Sequence, residues 1–203
     1  MLVLATRNKG KITELRSLLS GFDITVKGLD DFSPIPEAKE DGNTFEENAY
    51  KKAFFTAKAL GVPALADDSG LVVNALGGAP GVMSARYASD GATDQENIIK
   101  LLQKMRDKTD RSASFQCAIV IALPTGQYVV FEGKCDGVIV PEAIGHMGFG
   151  YDPVFFYPPF NRTFAQIPIE QKNKISHRGK AMAKLKEDFA KILNWFEFNE
   201  VSS

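Results

Sequence analysis

Two segments of the sequence combine basic residues, a glycine and a helix-capping residue at the start of a predicted helix. They are residues 6–11 (Thr-Arg-Asn-Lys-Gly-Lys) and 176–180 (Ser-His-Arg-Gly-Lys). Because a helix N-terminus carries partial positive charge, each base in its first turn costs about 0.3–1 kcal/mol. Asn8 and Ser176 are suitable N-caps, and the free N–H groups of a first turn can bind an anion. The pattern predicts phosphate binding at these helices, with a solvated basic turn as the alternative for either segment.

Carboxylates for a magnesium ion must come from other parts of the chain. The first basic segment is not a P-loop, since the GxxxxGK(S/T) pattern requires glycine at Ala5 and serine or threonine at Ile12. Asp67 and Asp68 follow a short apolar strand, and the acidic loop 37–41 can supply a second ligand. Adjacent strand residues point to opposite faces, so we expect the two aspartates to have different roles. A solvated Asp-Ser-Gly turn is the alternative.

Residues 148–153 (Gly-Phe-Gly-Tyr-Asp-Pro) combine a permissive backbone with two aromatic rings and a carboxylate. An aromatic face for stacking, with polar groups for the base edge, is typical of a nucleotide-base pocket. The apolar residues 154–156 continue this segment, so a core strand is the alternative. The residues alone leave both interpretations open.

Alternating strands and helices must position these groups. Hydrophobic periodicity and capping signals indicate the order of the elements. They are a strand at 2–5, a helix ending at Gly21, a strand at 24–26, a helix from Thr44 to near Gly61, two short strands around an Asp-Ser-Gly turn at 64–73, a helix from Thr93 to about 106, a hairpin of strands at 113–123 and 128–140, and a helix from about 177 to 196. This order predicts an α/β fold around a mixed β-sheet with flanking helices.

Composition excludes several classes of partner. The 24 Lys+Arg and 25 Asp+Glu residues leave a formal net charge of -1, so we expect no binding to nucleic-acid polymers or anionic membranes. The apolar start at residues 1–5 is too short for a signal-peptide core, which predicts a cytoplasmic protein. Cys117 and Cys135 lack CxxC spacing and are predicted to be buried, reduced thiols.

Taken in order, several motifs closely resemble the non-canonical purine nucleoside triphosphate pyrophosphatases, the inosine/xanthosine triphosphatase family. The motifs are residues 6–11, 67–71 (Asp-Asp-Ser-Gly-Leu), 77–81 (Gly-Gly-Ala-Pro-Gly) with 84–87 (Ser-Ala-Arg-Tyr), 149–153 and 176–179. The resemblance implies hydrolysis of ITP, dITP and XTP between the α and β phosphates, with Mg²⁺ as cofactor, by a cytoplasmic homodimer. It also implies one domain over 1–196, with an elongated mixed sheet and two lobes around a central nucleotide cleft, and leaves 197–203 as a C-terminal tail.

The resemblance further implies roles for individual residues. Asp68 is expected to be the catalytic general base and, with Glu40, a metal ligand. The implied substrate-binding residues are Thr6, Arg7, Asn8, Lys9, Gly10, Lys11, Lys52, Ser69, Phe149, Gly150, Tyr151, Asp152, Lys172, His177 and Arg178. Among these, Lys11 and Lys172 are expected to meet negative charge near the cleaved bond, and Arg178 is expected to contact the base.

Other functions are compatible with parts of the pattern. A hydrolase for modified pyrimidine nucleotides would need a smaller base pocket at residues 149–152. A nucleotide-binding regulator would bind without turnover and would not need Asp68 beside a metal. A structural protein would leave both basic helix starts unexplained.

Overall fold

The computed structural model describes residues 1–200 and contains seven strands and five α-helices. The strands are β1 (Leu2–Leu4), β2 (Val26–Gly28), β3 (Ala64–Val73), β4 (Ser112–Ala122), β5 (Tyr128–Ile139), β6 (Phe155–Tyr157) and β7 (Arg162–Thr163). The helices are α1 (Lys9–Leu19), α2 (Phe45–Leu60), α3 (Asp94–Met105), α4 (Ile169–Ile175) and α5 (His177–Glu200). Short 3-10 helices connect several of these elements, among them Gly81–Arg86.

The strands form one mixed sheet in the order β2-β1-β3-β4-β5-β6-β7. Strand β1 runs parallel to both β2 and β3, with Leu2 opposite Val26 and Val3 opposite Ala64. Strands β5, β6 and β7 pair antiparallel. The predicted α/β fold with a mixed sheet and flanking helices is therefore confirmed.

Local sequence signals explain where α2 and α3 begin. Thr44 caps α2 by accepting a hydrogen bond from Glu47 N, and Gly61 ends that helix in the left-handed region at φ 69°. Thr93 and Glu96 form the predicted capping box of α3. Both helices have acidic residues in the first turn, which the helix dipole favours, whereas α1 has none.

The prediction for residues 64–73 was wrong in one respect. These residues form the single strand β3 rather than two strands around a turn at Gly70. The predicted turn comprised Asp68, Ser69 and Gly70, but Asp68 and the preceding Asp67 are both ion-paired to lysines, which removes the need for full solvation. A strand can therefore carry them through this part of the sheet.

Other boundaries also differ from the prediction. Strand β2 lies two residues beyond the predicted 24–26, β6 corresponds to the core strand that was the alternative for residues 154–156, and β7 and α4 were not predicted. Helix α5 continues beyond the predicted end at Phe196, through Glu200. The remainder of the predicted tail, residues 201–203, lies outside the described residues.

The chain divides into two compact units, each with its own apolar core. Of the described residues, the first unit comprises 1–68, 118–132 and 181–200, and the second comprises 69–117 and 133–180. Small residues of α2, β3 and β4, such as Ala53, Ala66 and Ala118, dominate one core cluster of the first unit. The core of the second unit is built from larger residues, including Phe155, Phe164 and Leu101.

The predicted burial of both cysteines is confirmed. Cys117 and Cys135 are buried and form no disulfide. Within residues 1–200, no helix has both the length and the apolar character needed to cross a membrane.

Candidate functional site

The N-terminus of α1 has the geometry of an anion site. Asn8 adopts an extended conformation before the helix, and its Oδ1 accepts a hydrogen bond from Lys11 N at 3.2 Å. Thr6 Oγ1 in turn accepts a hydrogen bond from Asn8 N. A Cβ at Gly10 would lie 3.2 Å from Asn8 Oδ1, so glycine leaves room for the cap. The first-turn N–H groups of Lys9 and Gly10 lack intrahelical partners, as in any α-helix, and are oriented to bind an anion.

Lys11 is held in place by the first aspartate of β3. Its Nζ lies 2.7 Å from Asp67 Oδ2, and the Asp67 side chain is only 2% exposed. Asp67 therefore positions the ammonium of Lys11 at the start of α1. The neighbouring Arg7 points elsewhere, because its guanidinium pairs with Glu37 at 2.7 Å and both side chains are exposed.

Asp68 lies in a second ion-paired group. Lys52 Nζ is 3.3 Å from Asp68 Oδ1 and 3.4 Å from Glu40 Oε2, so one ammonium holds both carboxylates. Burial raises the pKa of Asp68, and the charge of Glu40 adds to this effect while Lys52 opposes it. The two aspartates of β3 thus have different lysine partners, as the strand alternation predicted.

A buried asparagine, which the sequence analysis missed, completes this group. Asn48 is fully buried on α2, and its Oδ1 accepts a hydrogen bond from Gly42 N at 2.8 Å. Its amide is close enough to Asp68 to favour the charged carboxylate, although Asn48 Nδ2 and Asp68 Oδ2 form no hydrogen bond of normal geometry. The available signal was a polar residue on the apolar face of α2, one turn before Lys52.

The donor set around Asp68 fits a magnesium ion bound together with phosphates. Asp68 Oδ2 is a buried anionic oxygen without a hydrogen-bond donor, and Glu40 supplies a second carboxylate. Among residues 1–200, no group of three or more His, Cys, Asp or Glu side chains could form a complete protein cage for a metal. One or two carboxylates are nevertheless what Mg²⁺ usually takes when substrate phosphates and water fill its remaining positions.

In the second unit, two of the predicted base-binding residues, Asp152 and Lys172, contact the exposed Phe149. The Phe149 side chain is 71% exposed, and Lys172 Nζ lies 4.8 Å from its ring centroid. Lys172 also forms a buried ion pair with Asp152, whose Oδ2 accepts a second hydrogen bond from Phe149 N at 3.0 Å. Burial raises the pKa of Asp152, although the Lys172 ammonium opposes this shift. A Cβ at Gly148 would overlap Asp152 Oδ2, so only glycine fits there.

Tyr151 does not present its ring beside Phe149. Its side chain is buried, and its Oη donates a hydrogen bond to Ser84 O at 2.8 Å. Of the two aromatic residues in this loop, Phe149 alone is exposed for stacking. The alternative of a core strand holds only for the residues that follow, because β6 begins at Phe155.

The start of α5 brings His177 and Arg178 into the second unit. Ser176 Oγ accepts a hydrogen bond from Gly179 N at 3.1 Å and so caps the helix, as predicted. The His177 ring stacks on Phe115 at a centroid distance of 4.8 Å. A Cβ at Gly179 would overlap Asn173 O, so glycine allows α5 to approach α4.

The predicted site residues thus form two groups, one in each unit. The first group comprises two clusters of the first unit, the start of α1 (Thr6, Asn8, Lys9, Gly10 and Lys11) and the ion-paired set of Glu40, Lys52 and Asp68. The second consists of Phe149, Gly150, Tyr151, Asp152, Lys172, His177 and Arg178. Ser69 follows Asp68 on β3 and is half-buried, whereas Arg7 is turned toward Glu37.

An open mixed sheet with flanking helices and two such polar groups defines an α/β ligand-binding protein. Comparison with known families narrows this class of protein to one family. The family model described as the Ham1 family matches residues 2–188, and the chain belongs to this family. The resemblance seen in the sequence motifs is therefore confirmed.

Individual relatives are similar over nearly their whole length. The chain is 54% identical over 197 residues to a dITP/XTP pyrophosphatase of Desulfotalea psychrophila, covering 97% of this chain and 88% of the relative. It is 45% identical over 198 residues to a dITP/XTP pyrophosphatase of Bacillus anthracis, covering 96% of both. A solved HAM1 protein of Coxiella burnetii superposes with a TM-score of 0.90 at 43% identity, covering 94% of this chain and 98% of that one.

Proposed function

We propose that the protein hydrolyses ITP, dITP and XTP between the α and β phosphates and releases the monophosphate and pyrophosphate. The names of its relatives support this substrate class. The observation that carries the chemistry is the half-buried Asp68 carboxylate, which has one oxygen paired with Lys52 and the other buried without a donor. Such a group can accept a proton from an attacking water molecule.

The first group supplies the charge that a phosphate chain requires. Lys11, Lys52 and the free N–H groups at the start of α1 can bind phosphate oxygens and offset the negative charge that develops during cleavage. The raised pKa of Asp68 makes its carboxylate a better proton acceptor than an exposed aspartate.

We propose that Asp68 and Glu40 hold Mg²⁺ when the nucleotide is bound. The fit rests on two nearby carboxylates and on the unpartnered Asp68 Oδ2. Bound magnesium would polarise phosphoryl oxygens, while Asp68 and Lys52 orient the water and the phosphates. Glu40→Gln should chiefly raise the magnesium concentration required for activity, because an amide is a poorer ligand for a hard cation.

The second group recognises the base. The Phe149 ring can stack on a purine, and Lys172 has ammonium N–H donors in addition to the one that Asp152 accepts. A 6-oxo purine offers an acceptor to such donors, whereas adenine presents an amino group. His177 and Arg178 add donors from the start of α5.

The deciding experiment is incubation of the purified protein with ITP, XTP, dITP, ATP, GTP and modified pyrimidine triphosphates, with Mg²⁺ or with EDTA. We expect equal amounts of monophosphate and pyrophosphate from the first three, only with Mg²⁺. Release of orthophosphate would contradict cleavage between the α and β phosphates. Stoichiometric binding without turnover would instead identify a nucleotide-binding regulator.

We also propose that the protein acts as a cytoplasmic homodimer on free nucleotides. The family resemblance supports the dimer, and the net charge of -1 gives no general attraction for nucleic acid or anionic membranes. Light scattering coupled to size-exclusion chromatography tests the dimer, and a monomeric mass at micromolar concentration would refute it.

A further inference from the structure

The loop that carries Phe149 is fastened to two other elements of the second unit. Tyr151 Oη donates a hydrogen bond to Ser84 O, and Gly150 N donates one to Asp94 Oδ2 at 2.6 Å. The first bond is buried, whereas the second is exposed and joins residues 56 positions apart in sequence. The bond from Gly150 is made by the residue directly after Phe149.

Asp94 is not needed to cap its own helix. It is the first residue of α3, whose capping box is complete without it. Thr93 Oγ1 accepts a hydrogen bond from Glu96 N, and Glu96 Oε2 accepts one from Thr93 N at 2.7 Å. The Asp94 carboxylate is thus used for the contact with Gly150.

The position of the Phe149 ring depends on the backbone that carries it. With 71% of its side chain exposed, this ring is little constrained by packing. Gly150 adopts the left-handed region at φ 58°, where its N–H meets the Asp94 carboxylate. Hydrogen bonds to an ionised acceptor are about twice as strong as neutral ones, so this contact can fix the turn despite its exposure.

We propose that Asp94 is a positioning residue for purine recognition. By accepting the Gly150 N–H, it fixes the turn that presents the Phe149 ring to the base and the Phe149 N–H to Asp152. This inference rests on the proposed role of the loop in base binding. Asp94 acts only through the loop, so its loss affects ligands that carry a base and leaves ligands without one unchanged.

The test compares Asp94→Ala, Asp94→Asn and Glu96→Ala. For each, kcat and KM are measured with ITP and GTP, and base-free ribose 5-triphosphate is tested as an inhibitor of ITP hydrolysis. We expect Asp94→Ala to lower kcat/KM for ITP about tenfold, mainly through KM, and to reduce the ITP-over-GTP preference. The inhibition constant of ribose 5-triphosphate should stay within about twofold. Asp94→Asn should retain most of the preference, because an amide oxygen can accept the same N–H.

Glu96→Ala is the matched control, because Glu96 lies in the same first turn but directs its carboxylate to Thr93 rather than to the loop. It should lower Tm through the lost capping box and leave the ITP preference unchanged. The inference is overturned if Asp94→Ala weakens ribose 5-triphosphate as much as ITP, or if Asp94→Asn is as defective as Asp94→Ala. If the wild-type protein itself shows no preference for ITP over GTP, the proposed base recognition fails, and this inference fails with it.

Discussion

Lys52 Nζ lies 3.3 Å from Asp68 Oδ1, and the same ammonium lies 3.4 Å from Glu40 Oε2. A single positive charge therefore pairs with both of the carboxylates that we propose as magnesium ligands and offsets only half of their negative charge. A divalent cation must compete with this ammonium for the same two carboxylate groups. The adjacent Lys51 carries an equal charge, but it pairs with Asp41 at 2.6 Å.

This arrangement predicts that Lys52→Met binds Mg²⁺ more tightly than the wild-type protein when no nucleotide is present. We expect about a fivefold gain, since a competing ion pair of this kind contributes ~1 kcal/mol. Titration calorimetry with MgCl₂ measures the affinity, and Lys51→Met controls for the same change in net charge. Equal affinities in the two variants would show that Lys52 does not compete with magnesium.

Asp68→Asn should leave the fold intact and lower turnover of ITP by about 10²-fold or more, because it removes both a proton acceptor and an anionic metal ligand. Circular dichroism monitors folding, and pyrophosphate release monitors turnover. Asp188→Asn is a suitable control, since Asp188 is also paired with a lysine but lies on α5. Near-normal turnover in Asp68→Asn would show that Asp68 is not the catalytic base.

Much of this arrangement could be predicted from short-range signals. Thr44 and Thr93 fixed the starts of α2 and α3, and Asn8 and Ser176 cap their helices as their residue types suggested. The course of β3 could not be predicted, because polar Asp67 and Asp68 are compatible with a strand only when lysines distant in sequence pair with them.

The sequence could not show which side chains contact each other when their residues lie far apart in the chain. The role of Lys172 illustrates this limit, because its pairing with Asp152 and its place over the Phe149 ring depend on the packing of α4. The sequence analysis expected Lys172 near the cleaved bond, whereas its contacts in the structure are with Asp152 and Phe149, in the loop that we propose to bind the base. Asn48 was missed because its contacts with Gly42 and Asp68 are set by the tertiary fold.

Lys11 and Lys172 should therefore differ in their effects on nucleotide binding. Lys11→Ala should weaken binding of a non-hydrolysable ITP analogue more than binding of IMP, since Lys11 lies at the predicted phosphate site. Lys172→Ala should weaken both ligands by similar factors, because its contacts are with Asp152 and Phe149. Calorimetric dissociation constants test this. If Lys172→Ala loses more affinity for the ITP analogue than for IMP, Lys172 contacts the phosphates instead.

The thiol of Cys135 should be unreactive in the native protein. Burial raises its pKa to about 11, and Lys180 opposes the shift only in part. At pH 8 the thiolate fraction is then on the order of 10⁻³, and the side chain is also shielded from reagents. A disulfide reagent should therefore modify Cys135 only after unfolding, as followed by peptide mass spectrometry. Rapid labelling of Cys135 in the folded protein would contradict the packing described for the second unit.

Arg178 provides the sharpest test of how the base is selected. A donor that meets the 6-oxo group favours ITP over ATP, and rejection of GTP requires an unmet donor or a steric limit near its 2-amino group. Sites that leave a buried polar group unpaired can discriminate by about 10⁴-fold or more. A contact with the base edge changes this discrimination, whereas a contact with phosphate affects all three nucleotides alike.

Arg178→Ala should therefore lower the rate with ITP and also erode the preference for ITP over ATP and GTP. The measurement is kcat/KM for each nucleotide under saturating Mg²⁺. Lys180→Ala serves as the control, because Lys180 lies in the same turn of α5 but is exposed and donates to Lys134 O at 2.8 Å. It should leave the three specificity constants in their wild-type ratio. If Arg178→Ala lowers all three by one common factor, Arg178 contacts the phosphates and the base is selected by Phe149, Asp152 and Lys172.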